Sequence, residues 1–320
     1  MRIRILLFVA LQALLVPIAL GQQYPSKPVR LIVPFAPGGF ADIAARILGE
    51  RLTNSLGQTF LVENRPGAGG TLGTAVLARA EPDGYSLILQ DMAYTISPAV
   101  YRELPYRPLE DFTPITLVAH TYLWLFVSPS LPARSVTDFI ALAKAQPGKY
   151  TVSSSGNGGG SHLMIELLMR GAGIKLVHVP YKGGGPAVNA AVSGEVAASF
   201  SFMPIAKSLV QGHRLRAIGV TAAARDAAYP DVPTFEESGI PNMIVRQWIG
   251  LMGPAGLPAE IVRTLNQNVK TVMSDPVVID RFKALTLIPE TSSPQEFRAL
   301  VDSDLKRWSK VVKEANIAVQ

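Results

Sequence analysis

At 320 residues, 48% of them hydrophobic and 17% charged, the chain is too apolar to be disordered. It is long enough for one large domain or two of about 150 residues. Lys and Arg number 30 against 24 Asp and Glu, but the basic residues are scattered, which argues against a nucleic-acid partner. The absence of cysteine excludes disulfides, thiolate metal sites, a cysteine nucleophile and a lipidated N-terminal cysteine.

Residues 1–21 start with Arg2 and Arg4, continue through an apolar stretch and end in Ala19-Leu20-Gly21. That order predicts a secretory signal peptide cleaved near Gly21. The stretch from Ile5 to Ile18 is short for a membrane span and holds Gln12 and Pro17, which disfavours an uncleaved anchor. Without the two arginines, 28 basic residues face 24 acidic ones, a net +4. No later segment reads as a span, so an exported, periplasmic protein is expected.

Past the leader, short β-branched runs alternate with helical patterns. Val29–Val33 reads as a buried strand and Ala41 to about Leu56 as a helix with Ile43, Ile47 and Leu52 on one face. Thr59–Glu63 and Tyr85–Gln90 are further strands, with a helix over Thr71–Ala80 between them. Phe112–Val127 is long and apolar enough to cross between two lobes. The pattern then restarts: a helix at Ser135–Ala145, a strand at Tyr150–Ser154, and a helix that Ser161 can cap. Strands follow at Leu176–Val179, Val196–Phe200 and Leu215–Val220, with a helix opened by Gly183-Gly184-Gly185-Pro186. Trp248–Met252 is a second crossing run, and two helices, Ala259–Ser274 and Pro294–Ala315, close the chain. Alternating strands and helices in two successive sets imply an α/β fold of two lobes with a ligand cleft between them.

Four glycine-rich turns join strands to helices. In the first, Phe35-Ala36-Pro37-Gly38-Gly39-Phe40-Ala41-Asp42, glycines let a ligand approach the backbone and free helix-start amides favour an anion. Asp42 either caps the helix, ties down the loop or holds a water; it would repel an anion placed against it. The second, Ser154-Ser155-Gly156-Asn157-Gly158-Gly159-Gly160-Ser161-His162, repeats the design with hydroxyls and a histidine. His162, at a helix N-terminus, is expected to be neutral, whether it touches a ligand or only covers the helix end. Two such turns, one per lobe, would grip a carboxylate from both sides. In the third, beside Tyr181, Lys182 reads as solvent-facing. The fourth, Arg65 to Gly70, reads as a structural turn packing a helix onto the sheet.

Several motifs are missing from the sequence: a nucleotide P-loop, a complete dinucleotide fingerprint, paired histidines at metal-ligand spacing and a Gly-x-Ser-x-Gly elbow. No cofactor and no metal are therefore expected. Ser154 or Ser155 with His162 and Asp42 would make a poor hydrolase triad, because a glycine run does not hold a nucleophile in register.

Short stretches along the whole mature chain resemble the substrate-binding proteins of tripartite tricarboxylate transporters, the Bug family. They include Val33-Pro34-Phe35-x-Pro37-Gly38-Gly39-x-x-Asp42, Glu63-Asn64-Arg65-Pro66-Gly67-Ala68-Gly69-Gly70, Pro82-Asp83-Gly84-Tyr85, Val179-Pro180-Tyr181-Lys182-Gly183 and Asp231-Val232-Pro233-Thr234. The resemblance implies a type II periplasmic binding-protein fold, with lobe 1 over 22–122 plus about 225–320 and lobe 2 over about 123–224. It also implies a receptor without catalysis that binds a small organic acid through Ala36–Asp42 and Ser154–His162. Its partners would be the membrane permease subunits or, alternatively, a sensor protein; a monomer is expected.

Two departures bear on the ligand. Many members have Thr-His-x-x-Asn-Pro where this chain has Ala93-Tyr94-Thr95-Ile96-Ser97-Pro98, and Asp-x-x-Phe-Asp where it has Ala197-Ala198-Ser199-Phe200-Ser201. Losing those acidic groups argues against an amino-acid ligand. Phe40, Tyr94, Thr95, Phe202 and Met203 are then candidate contacts for an aromatic or otherwise apolar acid.

Overall fold

The apolar run VRLIV forms β1 (Val29–Val33), buried at four of its five positions, at the centre of three parallel strands. Its neighbours are β2 (Phe60–Asn64) and β3 (Ser86–Asp91), and between them lie α1 (Phe40–Leu56) and α2 (Thr71–Ala78). Parallel pairing requires these crossover helices, and they cover the sheet that the sequence makes apolar. The computed structural model describes residues 24–314, so the expected leader and its cleavage point lie outside the described residues.

A short helix, α3 (Ala93–Val100), leads to β4 (Phe112–Val127), the 16-residue run expected to cross. Through Tyr122 it pairs antiparallel with β9 (Arg246–Pro254), which also pairs with β3. From Leu123 it pairs instead with β7 (Ala198–Phe202) and β8 (Arg216–Val220). The order β2-β1-β3-β9-β4-β7-β5-β6 therefore runs through β4, with β5 (Thr151–Ser154) and β6 (Val177–Pro180) parallel at the far side.

The second set carries α4 (Val136–Ala145), α5 (Gly160–Ala172), α6 (Gly184–Ser193) and α7 (Met203–Gln211). The return adds α8 (Ala259–Met273), α9 (Pro276–Lys283), β10 (Ile288–Pro289) against β4, and α10 (Pro294–Glu314). Helices α3, α7 and α9 go beyond the sequence expectation. Two buried cores result. The larger runs from β1 through β4 to α5 and α10, and the smaller joins Trp124, Phe126, Val188, Met203 and Val220 under α6 and α7.

Candidate functional site: two glycine-rich helix starts

β1 ends in a buried Pro34 and a half-buried Phe35 before the first turn. The Asn64 side-chain amide donates to the Phe35 carbonyl at 3.1 Å. The Arg65–Gly70 turn and the helix it opens seat Pro34 and Phe35: a Cβ on Gly73 of α2 would stand 2.8 Å from Pro34, and one on Gly70 3.3 Å from the Phe35 ring. The fourth glycine turn thus supports the first.

Gly38 adopts a left-handed φ of 79° and Gly39, with an extended φ of −76°, is the N-cap of α1. Asp42, the third helical residue, does not cap the helix. Its carboxylate accepts the Gly38 N–H at 2.9 Å, two guanidinium bonds from Arg46 at 2.9 and 3.0 Å, and the Asn64 amide at 2.9 Å. Burial would raise its pKa, but the bonds from Arg46, Gly38 and Asn64 outweigh that and hold it below the usual carboxylate range. Asp42 therefore stays charged and fully engaged, tying down the loop.

The second turn follows β5 with the same backbone plan. Gly158 is left-handed at φ 71°, Gly159 is the N-cap of α5 at φ −86°, and the third helical residue is His162. Gly158 N–H donates to His162 Nδ1 at 3.2 Å, so that nitrogen is the acceptor in this turn. His162 Nε2 lies 3.6 Å from Glu166. Ser161 does not cap the helix, because it already lies inside it; its hydroxyl accepts the Ser155 N–H at 3.0 Å and bonds the Ser155 hydroxyl at 2.9 Å. Gly156 and Asn157 complete the turn, with Gly156 at φ 139°.

His178, on β6, is a member of this site that the sequence reading missed. Its ring stacks on His162 with centroids 4.0 Å apart and planes 10° apart, and its Nε2 bonds Ser154 Oγ at 2.6 Å. Desolvation, then the neighbouring His162, push its pKa down to about 4. Ser154 Oγ also accepts the Gly156 N–H at 3.2 Å, so a neutral His178 anchors the turn through that hydroxyl. The period-2 alternation of Val177-His178-Val179 placed His178 on a face, but not its partner 24 residues earlier in the chain.

Each of the two turns touches elements that border the other. The Phe40 and Phe202 rings meet at 4.0 Å between centroids. A Cβ on Gly183 would stand 3.6 Å from Ala36, one on Gly69 3.4 Å from the Asn157 carbonyl, and one on Gly158 2.5 Å from Val100. A Cβ on Gly160 would lie 2.8 Å from Gln247 Oε1 on β9. Pro37 and Gly38 are exposed at the rim, and Ala41 is buried in the first turn of α1.

The other expected contacts are placed elsewhere or turned away. Tyr94 is buried against Tyr106 and Phe112 and donates its hydroxyl to the Pro108 carbonyl. Thr95 is buried and donates to the Met92 carbonyl at 2.8 Å. Met203 belongs to the smaller core. Tyr181 lends its backbone N–H to the Ser154 carbonyl, while its hydroxyl reaches Glu195 at 2.6 Å. A hollow of about 950 Å³ lies at the other end of α1, against α8, lined by Arg51, Asn54 and Lys270. It holds none of the glycine turns.

Peptide N–H groups at a helix start can take up a carboxylate with little reorganisation. Comparison with known proteins agrees with this chemistry. Residues 44–317 match the family described as tripartite tricarboxylate transporter family receptor. The chain is 34% identical to Protein BugT of Bordetella pertussis over 96% of its length and 95% of that protein's. A solved periplasmic transporter is 40% identical with a TM-score of 0.89, covering 93% of this chain and all of that one. Rpa4515 of R. palustris, solved with adipate, is 32% identical with a TM-score of 0.90 over the same shares. The chain therefore belongs to the tripartite tricarboxylate transporter receptor family of Bug type, whose members are substrate-binding receptors rather than enzymes.

Proposed function

We propose that this receptor works in the periplasm, after cleavage near Gly21, and captures a small organic carboxylate for the membrane permease subunits of a tripartite tricarboxylate transporter. The grip comes from the first-turn amides of α1 at Phe40 and Ala41 and of α5 at Gly160 and Ser161, with the Ser155 and Ser161 hydroxyls beside them. The partner change of β4 after Tyr122 supports a division into lobe 1, 22–122 with about 225–320, and lobe 2, about 123–224. Closure of one lobe on the other removes water from the held carboxylate and strengthens those bonds.

One observation carries the reading. Gly39 and Gly159, the two N-caps, have ordinary negative φ values, and a Cβ on either would meet nothing nearer than 3.5 and 3.8 Å. Neither backbone conformation nor packing within the chain demands glycine at these positions. The space a side chain would take is left for a ligand. A ligand ammonium would find no free carboxylate in the first turn, because Asp42 is consumed by Arg46, Gly38 and Asn64. That favours an acid without an amino group.

The test is thermal shift and calorimetry with dicarboxylic, aromatic and amino acids. An acid at 100 times its Kd should stabilise the protein by about 2.7 kcal/mol. Gly39→Val and Gly159→Val should keep the wild-type melting temperature yet lose at least about 100-fold in affinity, the scale of losing one or two charge-assisted hydrogen bonds. Unchanged affinity in both folded variants would overturn the reading, and stabilisation by aspartate or glutamate alone would overturn the preference for an acid without an amino group.

A further inference from the structure

The chain that leaves α9 is fastened along the crossing strand β4. The Thr121 hydroxyl donates to the Thr286 carbonyl at 3.0 Å, Ile288 and Pro289 pair with His120 and Ala119, and the Glu290 N–H donates to the Val118 carbonyl at 3.0 Å. The Glu290 carboxylate bonds His120 Nδ1 at 2.9 Å and accepts from the Arg246 guanidinium of β9 at 3.0 Å. The anchors on β4 all precede Tyr122, after which that strand changes partners.

At the end of α9, the Leu287 N–H returns to the Phe282 carbonyl and the Thr286 N–H to the Lys283 carbonyl, both at 2.9 Å, with Thr286 left-handed at φ 55°. Glycine fits this position best; threonine is strained there, and its Oγ1 is buried without a partner. Such strain persists only where the surroundings over-determine it. The next carbonyl, that of Ala284, accepts from the Lys207 ammonium of α7 at the negative end of the α9 dipole.

Helix α7 leaves β7 with no intervening loop, and its Met203 and Ala206 are buried in the smaller core. It therefore moves with β7, whose last residue, Phe202, touches Phe40 of the first turn. A separation of the lobes that parts Phe202 from Phe40 also moves Lys207 relative to Ala284.

We propose that Lys207 and the carboxyl end of α9 form a latch that holds the two lobes closed. Closure brings the ammonium from lobe 2 onto a carbonyl that the segment along β4 holds still in lobe 1; opening returns both groups to water. Lys207 touches no ligand. It is a positioning residue that sets how long a bound acid stays, without selecting which acid. The inference rests on the two-lobe receptor reading and adds to it the contact that favours the closed state.

The test is stopped-flow kinetics and calorimetry on the full receptor with succinate, adipate and benzoate as probes. For each probe that binds wild type, Lys207→Met should speed dissociation by about fivefold and weaken affinity by a similar factor, the scale of one exposed charge-assisted contact at a helix end. The association rate should change by less than about twofold. Lys207→Arg, which keeps a cationic donor, should restore the wild-type rates. Arg214→Met, which removes the same charge beyond the end of the same helix, should leave dissociation unchanged and so separates the latch from a general pull on anions. Wild-type dissociation in Lys207→Met, an equal acceleration in Arg214→Met, or a lowered melting temperature of apo Lys207→Met overturns the latch and leaves the receptor standing. Failure of all three probes and of the broader acid panel to bind wild type overturns the receptor reading and the latch with it.

Discussion

The turns that open α1 and α5 share a backbone and differ in chemistry. Each places a left-handed glycine before an extended N-cap glycine, and each uses the third helical residue to accept the left-handed glycine's N–H. In the first turn the acceptor is Asp42, neutralised by Arg46; in the second it is the imidazole of His162, stacked on His178. The comparison separates two tasks. Backbone conformation aims the helix-start amides, and the acceptor holds that conformation without presenting net negative charge to an anion. An ion pair and an imidazole satisfy the same requirement, but they differ in cost when removed and in response to pH.

The largest expected effect is on the charged acceptor. Asp42→Ala strands donors from Gly38, Arg46 and Asn64, and should cost roughly 2–3 kcal/mol of stability by urea titration, with Asp42→Asn costing less. A wild-type midpoint for Asp42→Ala would mean that the acceptor does not hold the turn.

Next comes the left-handed glycine. Gly158→Ala combines a positive φ with a Cβ placed 2.5 Å from Val100, whereas a Cβ on Gly38 meets nothing within 4 Å. Gly158→Ala should cost roughly 2 kcal/mol and Gly38→Ala about 1 kcal/mol. Equal losses in melting temperature would show that the second turn yields to Val100 and that the two turns are mechanically alike.

The smallest effect is the response to acid. His178 binds its proton less readily when folded, with a pKa of about 4 against 6.5, so the unfolded chain takes up protons first. Its contribution to stability is complete above pH 6.5 and is lost as the pH falls toward 4. Asp42 has a lowered folded pKa, so its contribution persists until the pH falls through the ordinary carboxylate range near 3.8. Between pH 7 and 5, hydrogen-exchange protection should therefore fall in Ser154–His162 while Ala36–Asp42 keeps its own. Parallel loss in both turns would break the distinction.

What the sequence made legible follows from how local each signal is. Phe112–Val127 could be read to the residue because a 16-residue apolar strand leaves few alternatives. The first two glycine turns were legible because strand, glycines and helix follow one another directly. Helix α7 was not, because Met203 and Pro204 leave β7 with no intervening loop. Helix α3 is eight residues long with Pro98 inside it, which hides its period. Tyr94, Thr95 and Met203 looked like ligand contacts because side-chain type alone does not separate a wall of a cleft from a core. His178 acquires meaning only from the partner that parallel pairing brings beside it.

The position of β9 has a consequence for the order of assembly. It lies between β3 and β4, so the sheet begun at Val29 lacks its middle strand until Pro254 is available. Strands β5 to β8, by contrast, pair among themselves and with the end of β4, all within Leu123–Val220. The lobe that starts first is completed last. Until then, the apolar edges of β3 and β4 lie open to wrong pairing, and a chain delivered N-terminus first would need a chaperone most while residues 128–245 are still arriving.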